Sequence, residues 1–217
     1  LIFYPFSLHF LFIFDGEIIY TFVSSDTRLR KQARKTILMT QTSTPKQPSN
    51  ATAVILFADG TTFYGRGFGA ESTNVGEVCF NTGMTGYQET LTDPSYAGQI
   101  ITFTFPHIGN VGTNEADMET VNPAARGLIV REDVTEPSNW RAIKHFDAWL
   151  KNYDLPGISG IDTRALTRYI RDNGAPHGVI CHNAKGEFDL DALQKQAAEW
   201  PGLKGMDLAK EVSCTQS

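Results

Sequence analysis

The sequence has few cysteines, no excess of basic residues and no long uninterrupted apolar run. The three cysteines are odd in number and form no CxxC pair, so neither a disulfide framework nor a cysteine zinc site is indicated, and a reducing, cytoplasmic setting fits best. A formal net charge of -5 argues against nucleic-acid binding, which calls for a basic patch or stripe. With 41% hydrophobic and 20% charged residues, the 217-residue chain has the composition of a globular protein.

The first 38 residues differ in character from the rest. Pro5 and Asp15 interrupt their apolar run before it reaches the roughly 18 residues that a membrane span needs. Basic residues follow this run rather than precede it, unlike a secretory signal. We therefore expect residues 1–38 to be non-native upstream translation, disordered or poorly defined, with synthesis starting at Met39. A membrane anchor is the alternative. Residues 39–51 are predicted to be a flexible polar tail.

From Thr52 onward the pattern is that of strands. Asp59-Gly60 between two apolar, β-prone runs is a strong hairpin signal. Further along, Ile101 and Phe103 alternate with Thr102 and Thr104, which predicts a strand with one buried and one hydroxylated face. The predicted strands of this half are Ala53–Phe57, Thr61–Tyr64, Glu77–Phe80 and Gln99–Phe105.

The second half alternates short apolar strands with amphipathic helices. Ser138, Asp162 and Gly174 stand where caps would begin or end those helices. An antiparallel front half followed by this alternation suggests layers of sheet, sheet and helix in one domain. The predicted strands are Gly127–Val130, Ile158–Ile161 and Gly178–Cys181, and the predicted helices are Asn139–Tyr153, Thr163–Asn173 and Asp189–Trp200.

A long connection, Asn81–Gly98, separates two of the predicted strands; it is called the 81–98 loop below. Irregular loops of this length are usually functional or disordered. Met84, Tyr87, Leu91 and Tyr96 give this one apolar anchors, which argues against disorder. We therefore expect the 81–98 loop to be the functional surface.

These residues also carry a family resemblance. GEVCFNTGMTGYQETLTDPSYAGQIITFTFPHIGNVGTN, GISGIDTRALTRYIRDNGAPHGVI and PGLKGMDLAKEVS resemble, in the same order, segments of the N-terminal domain of the carbamoyl phosphate synthase small subunit, over residues 52–213. The resemblance implies an α/β domain of the three-layer β/β/α swivelling type, with one mixed or parallel and one antiparallel sheet. It further implies a small subunit that hydrolyses glutamine and passes ammonia to a large subunit, which uses ATP and magnesium to make carbamoyl phosphate for arginine and pyrimidine biosynthesis.

In that family a second domain, of the class I amidotransferase type, carries the glutaminase chemistry. We therefore expect the chain to be a fragment, with residues 214–217 beginning the linker to that domain. No catalytic residue, metal ligand or cofactor is assigned within the chain, and we expect it to be inactive alone. Cys79 and Cys181 lie in apolar runs and Cys214 in the tail, so the first two are interpreted as core residues. The resemblance implies glutamine and the large subunit as partners, and we expect no nucleic-acid or membrane partner.

Ser95 is the residue to which the resemblance assigns a role, because the matching serine of the family lies at the glutamine site between the two domains. The alternative is that Asp93-Pro94-Ser95 only forms a turn, since these residue types favour turns on any fold. Thr92 and Asp93 are expected to hold that turn. A weaker hypothesis makes Ser95 a hydrolytic nucleophile. At the level of the whole chain, the alternative to an enzyme subunit is a non-catalytic interaction domain of the same fold.

The other polar candidates are expected to be structural. His107 is either a general base or, preferably, a hydrogen-bonded loop or interface residue. The carboxylates Glu77, Glu89 and Asp93 form no convincing metal set. The arginine stripe formed by Arg164, Arg168 and Arg171 is either a solvated helix face or a contact for an acidic surface.

Overall fold

The computed structural model describes residues 9–14 and 17–22 by their backbone, and residues 46–208 and 212 in full. The chain divides into two compact units, residues 1–43 and residues 44–217. In the first unit, strands β1 (His9–Phe14) and β2 (Glu17–Phe22) pair antiparallel. The expectation of non-native sequence over residues 1–38 stays a prediction, since much of that range, like most of the predicted tail at 39–51, lies outside the described residues.

The second unit contains seven strands that close into a barrel. They are β3 (Ala53–Phe57), β4 (Thr62–Gly69), β5 (Thr73–Asn81), β6 (Gln99–Phe103), β7 (Gly127–Ile129), β8 (Pro156–Ser159) and β9 (His177–His182). Their order around the barrel is β3-β4-β8-β7-β6-β5-β9. Neighbours from β5 through β6 and β7 to β8 are parallel, and the remaining pairs are antiparallel.

Within residues 46–200 of the described part of the chain, four helices accompany the barrel. They are α1 (Tyr87–Thr92), α2 (Phe146–Asn152), α3 (Thr163–Asn173) and α4 (Leu190–Glu199). As predicted, Asp162 caps α3, since its carboxylate accepts hydrogen bonds from the amides of Arg164 and Ala165, and Gly174 ends the helix in a left-handed conformation. The prediction of a mixed α/β fold is confirmed. The three-layer arrangement with two sheets is not, because β9 bonds both β3 and β5 and so joins the strands of this unit into one barrel.

The predicted helix over Asn139–Tyr153 is wrong in its first half. Helix α2 begins only at Phe146, with His145 rather than Ser138 as its N-cap. The preceding segment is a turn in which the Asn139 side chain accepts the amide of Arg141 at 2.9 Å, a local bond that competes with helix formation. Trp140 is consequently 91% exposed rather than packed in the core.

Strand β6 is buried on both faces, contrary to the prediction of a hydroxylated face. Ile100 belongs to one apolar cluster, with residues of several other strands and of α3, while Ile101 and Phe103 belong to another, with residues of α1 and α2. Thr102 is fully buried, and its hydroxyl has no hydrogen-bond partner. The alternation of residues was real, but a central strand of a barrel covered by helices exposes neither face.

Candidate functional site

The 81–98 loop is largely regular. Its centre is α1, and a 3₁₀ turn over Pro94–Tyr96 follows before β6 begins. Gly86 precedes α1 at a φ of 81°, a left-handed conformation that favours glycine, and its carbonyl accepts the amide of Thr90 at 2.9 Å. The expectation of an irregular loop is therefore wrong, because the turn-forming residues flank a short helix.

Ser95 lies in the 3₁₀ turn and is exposed. The Asp93 carboxylate accepts the Ser95 amide at 2.8 Å, and Pro94 fills the first position of the turn, where its fixed φ is favourable. The predicted turn is thus confirmed, with Asp93 holding it. The binding role of Ser95 stays a prediction, and so does the weaker hypothesis that it is a nucleophile.

Asn81, the last residue of β5, connects the two ends of the 81–98 loop. Its side-chain oxygen accepts the amide of Gly83 at 2.7 Å, and its nitrogen donates to the Tyr96 hydroxyl at 3.2 Å. One amide therefore fixes both the exit from the strand and the turn that carries Ser95. Sequence reasoning did not single out Asn81; the available signal was an amide directly after an apolar strand and two residues before a glycine.

The inner face of the 81–98 loop packs against the barrel. Leu91 is fully buried and Tyr87 is 4% exposed. The Tyr87 hydroxyl donates to the Gly112 carbonyl at 2.7 Å, and burial raises the pKa of this phenol. Two of the expected anchors are thus confirmed. Met84 is not an anchor, because it is 71% exposed.

The described cysteines are core residues. Cys79, in β5, packs against the buried apolar cluster that includes Leu91 and Phe103, and burial together with the nearby Glu77 carboxylate raises its pKa to about 12. Cys181 is buried in β9. A thiol becomes a nucleophile as its thiolate, so the position of Cys79 opposes that role. Cys214 lies outside the described residues.

The remaining polar candidates do not converge on Ser95. His107 is exposed and its ring packs edge-on against Phe105. Glu77 accepts a hydrogen bond from the Gln99 side chain at 2.8 Å. Within the part of the chain that the structure describes, no three His, Cys, Asp or Glu side chains are grouped to hold a metal ion. The three arginines of the predicted stripe, Arg164, Arg168 and Arg171, are exposed on α3.

A buried polar set behind α1 was also missed from sequence. Gln88 and Thr92 are 2% and 0% exposed, and both bond the segment that follows β6. The available signal was that Gln88 precedes the apolar Leu91 by three residues and Thr92 by four, a spacing that places all three on one side of a short helix.

Fold and site together define a mixed α/β barrel domain that presents a braced, exposed turn, while its described thiols are half-buried at Cys79 and buried at Cys181. Residues 55–180 match the family described as "Carbamoyl-phosphate synthase small chain, CPSase domain". Because the match spans more than half of the sequence, the chain belongs to the carbamoyl-phosphate synthase small chain family.

Individual relatives are similar to about three quarters of the chain or more. A carbamoyl phosphate synthase small chain from Bradyrhizobium diazoefficiens is 63% identical over 169 residues, covering 76% of this chain and 43% of the relative. Small chains from Mesorhizobium japonicum and Agrobacterium fabrum are 60% and 56% identical, covering 76% and 82% of this chain and 43% and 45% of their own lengths. The chain thus spans less than half the length of these relatives.

Proposed function

We propose that this chain is the N-terminal domain of the small subunit of a glutamine-hydrolysing carbamoyl phosphate synthase. In this role Ser95 contributes to a glutamine site that a second, glutaminase domain completes. The ammonia released there passes to a large subunit, which uses ATP and magnesium, in the cytoplasm, for arginine and pyrimidine biosynthesis. Among the described residues no helix is both long and apolar enough to cross a membrane.

One observation carries the proposal beyond family membership. The turn that holds Ser95 is exposed yet braced from two sides, by the Asp93 carboxylate beneath the Ser95 amide and by Asn81 at the adjacent Tyr96 hydroxyl. A braced polar turn is the kind of geometry that substrate positioning needs. The burial of Cys79 supports placing the nucleophile on another domain.

Docking on the large subunit has separate support. Trp140 and Ile143 are 91% and 66% exposed, and Ile143 lines a cleft of about 170 Å³ with Met118, Trp149 and Tyr153. Large apolar side chains left exposed beside a cleft, such as Ile143, are common at protein contact sites. Calorimetry of the completed small chain with the large subunit should show binding, and Trp140→Ser should weaken it. No heat of binding would count against docking.

The catalytic proposal is tested in a completed small chain, in which residues 52–213 are followed by the remaining segment of the Bradyrhizobium relative. This protein should release ammonia from glutamine, whereas the 217-residue chain should not. Ser95→Trp should raise the KM for glutamine, because the indole would fill the space next to the turn, and Ser95→Ala serves as the small control. Unchanged kinetics in Ser95→Trp would remove the substrate-site role. Labelling of Ser95 by a serine-directed phosphonate would instead favour the nucleophile hypothesis.

The second candidate function is a free-standing, non-catalytic interaction domain of the same fold. The exposed apolar surface at Trp140 and Ile143 favours it equally. The coding sequence beyond residue 217 separates the two. A Gly-rich Cys elbow followed by a distant His and Glu supports the enzyme subunit, and an immediate stop codon supports the interaction domain.

A further inference from the structure

Helix α1 is fixed at its start by a buried amide. The Gln88 side chain donates from Nε2 to the Asn114 carbonyl at 2.7 Å and accepts the Asn114 amide on Oε1 at 2.9 Å. Both groups are shielded from water, since Gln88 is 2% and Asn114 is 8% exposed. These two antiparallel bonds fix the distance and the orientation between the Gln88 side chain and the Asn114 backbone. Gln88 therefore sets where α1 lies relative to the segment after β6.

The other end of α1 is fixed by Thr92, which is fully buried. Its hydroxyl accepts the Glu119 amide at 3.0 Å and donates to the Gln88 carbonyl at 2.9 Å. Its own carbonyl accepts the Thr120 hydroxyl at 2.6 Å. Thr92 is the last residue of α1 and lies directly before the turn that begins at Asp93. Its hydrogen bonds thus hold this end of the helix to the backbone segment at Glu119 and Thr120.

We propose that Gln88 and Thr92 are positioning residues for Ser95, acting through α1 and the turn that follows it. The inference rests on the proposed role of Ser95 at the glutamine site. Only Asp93 and Pro94 separate Thr92 from Ser95, so a displacement of the end of α1 moves the serine with it. The bonds made by Gln88 and Thr92 oppose such a displacement from the buried side of α1.

Removing the Thr92 hydroxyl leaves the Glu119 amide without its side-chain acceptor, so the bond that holds the end of α1 to this segment is lost and the end of the helix is free to shift. A displaced Ser95 binds glutamine less well in the ground state and the transition state alike. The loss should therefore appear in KM rather than in kcat. If Thr92 were merely structural, its substitution would lower the free energy of unfolding without raising KM at an unchanged kcat.

The test uses the completed small chain assembled with the large subunit. Thr92→Val should raise the KM for glutamine about tenfold, since displacements near 1 Å have effects of this order or larger, with kcat and the ammonia-supported reaction unchanged. Thr92→Ser keeps the hydroxyl and should restore the KM. Thr120→Val, a change in a half-buried loop residue, should act in the same direction if Thr92→Val does not fold.

Thr62→Val is the matched control. Thr62 is 7% exposed and its hydroxyl donates to the Gly60 carbonyl at 2.9 Å, but it lies on β4, three strands from β6 around the barrel. The Thr62→Val variant should have a lower free energy of unfolding and an unchanged KM for glutamine. A normal KM in both Thr92→Val and Thr120→Val, with a raised KM in Ser95→Trp, would overturn this inference and leave the proposed function standing. A normal KM in Ser95→Trp would instead overturn the proposed function.

Discussion

The side-chain nitrogen of Asn81 lies 3.2 Å from the Tyr96 hydroxyl and donates a hydrogen bond to it. This bond connects the end of β5 to the turn that carries Ser95, across fifteen positions of sequence. The 81–98 loop is therefore closed on itself at its base, and its exposed residues are carried on a fixed frame. An exposed turn held in this way keeps its shape before a ligand or second domain arrives.

The bond between Asn81 and Tyr96 should couple the two residues energetically. We expect Tyr96→Phe to lower the free energy of unfolding by about 1 kcal/mol, the typical net contribution of one hydrogen bond. Asn81→Ala should cost more, because it also removes the acceptor for the Gly83 amide. In a double-mutant cycle measured by urea unfolding, the combined loss should be smaller than the sum of the single losses. Strict additivity would show that this contact contributes nothing.

Asp93 should matter through its acceptor oxygen and not through its charge. Asp93→Asn keeps an oxygen able to accept the Ser95 amide, whereas Asp93→Ala removes it and should destabilise the turn by about 1 kcal/mol. In the completed enzyme we expect Asp93→Ala to raise the KM for glutamine, and Asp93→Asn to remain near the parent value. An equal rise in both variants would show that the carboxylate charge itself is required.

The lowered pKa of Asp133 leads us to expect a loss of folding stability at acidic pH. The Ser159 hydroxyl, which donates to its carboxylate at 2.6 Å, and then the Arg66 guanidinium at 2.7 Å lower the pKa of Asp133 from its ordinary value of 3.8. A lowered pKa in the folded state stabilises the protein above 3.8, and this stabilisation is lost as the pH falls through the folded-state pKa.

The parent should therefore be more stable than Asp133→Asn near pH 6, by less than about 1 kcal/mol because the ion pair is largely exposed. That advantage should shrink as the pH falls below about 3.8. Urea unfolding of both proteins across this range measures it. A difference that stays constant down to the lowest pH would show that Asp133 is not stabilised in its charged form.

Features decided by neighbouring residues could be predicted from the sequence. Asp59-Gly60 specified the β3–β4 hairpin, and the structure shows the Asp59 carboxylate accepting the amide of Thr61 at 2.9 Å. Asp162 and Gly174 likewise specified both ends of α3. In each case the information lies within a few residues of chain, where turn and cap chemistry acts.

Features decided by contacts between distant residues could not be predicted from the sequence. The position of α1 depends on Gln88 meeting Asn114, twenty-six positions away, and barrel closure depends on β9 returning between β3 and β5. The late start of α2 has the same origin in part, because, beyond the local bond at Asn139, Ile143 and Lys144 donate their amides to the Thr113 carbonyl instead of extending the helix. Sequence spacing alone contains no record of these partners.

Cys79 provides a test of where the nucleophile lies. Because burial and the nearby Glu77 carboxylate raise its pKa to about 12, the Cys79 thiol is far less ionised at pH 8 than a free cysteine. We expect iodoacetamide at pH 8 to leave Cys79 unmodified in the native protein, as judged by mass spectrometry of its peptide, and to label it after unfolding in urea. The buried Cys181 should behave in the same way. Cys79→Ala in the completed enzyme should retain glutamine hydrolysis, because a half-buried thiol in β5 serves packing; loss of activity together with rapid native labelling would place the nucleophile in this domain.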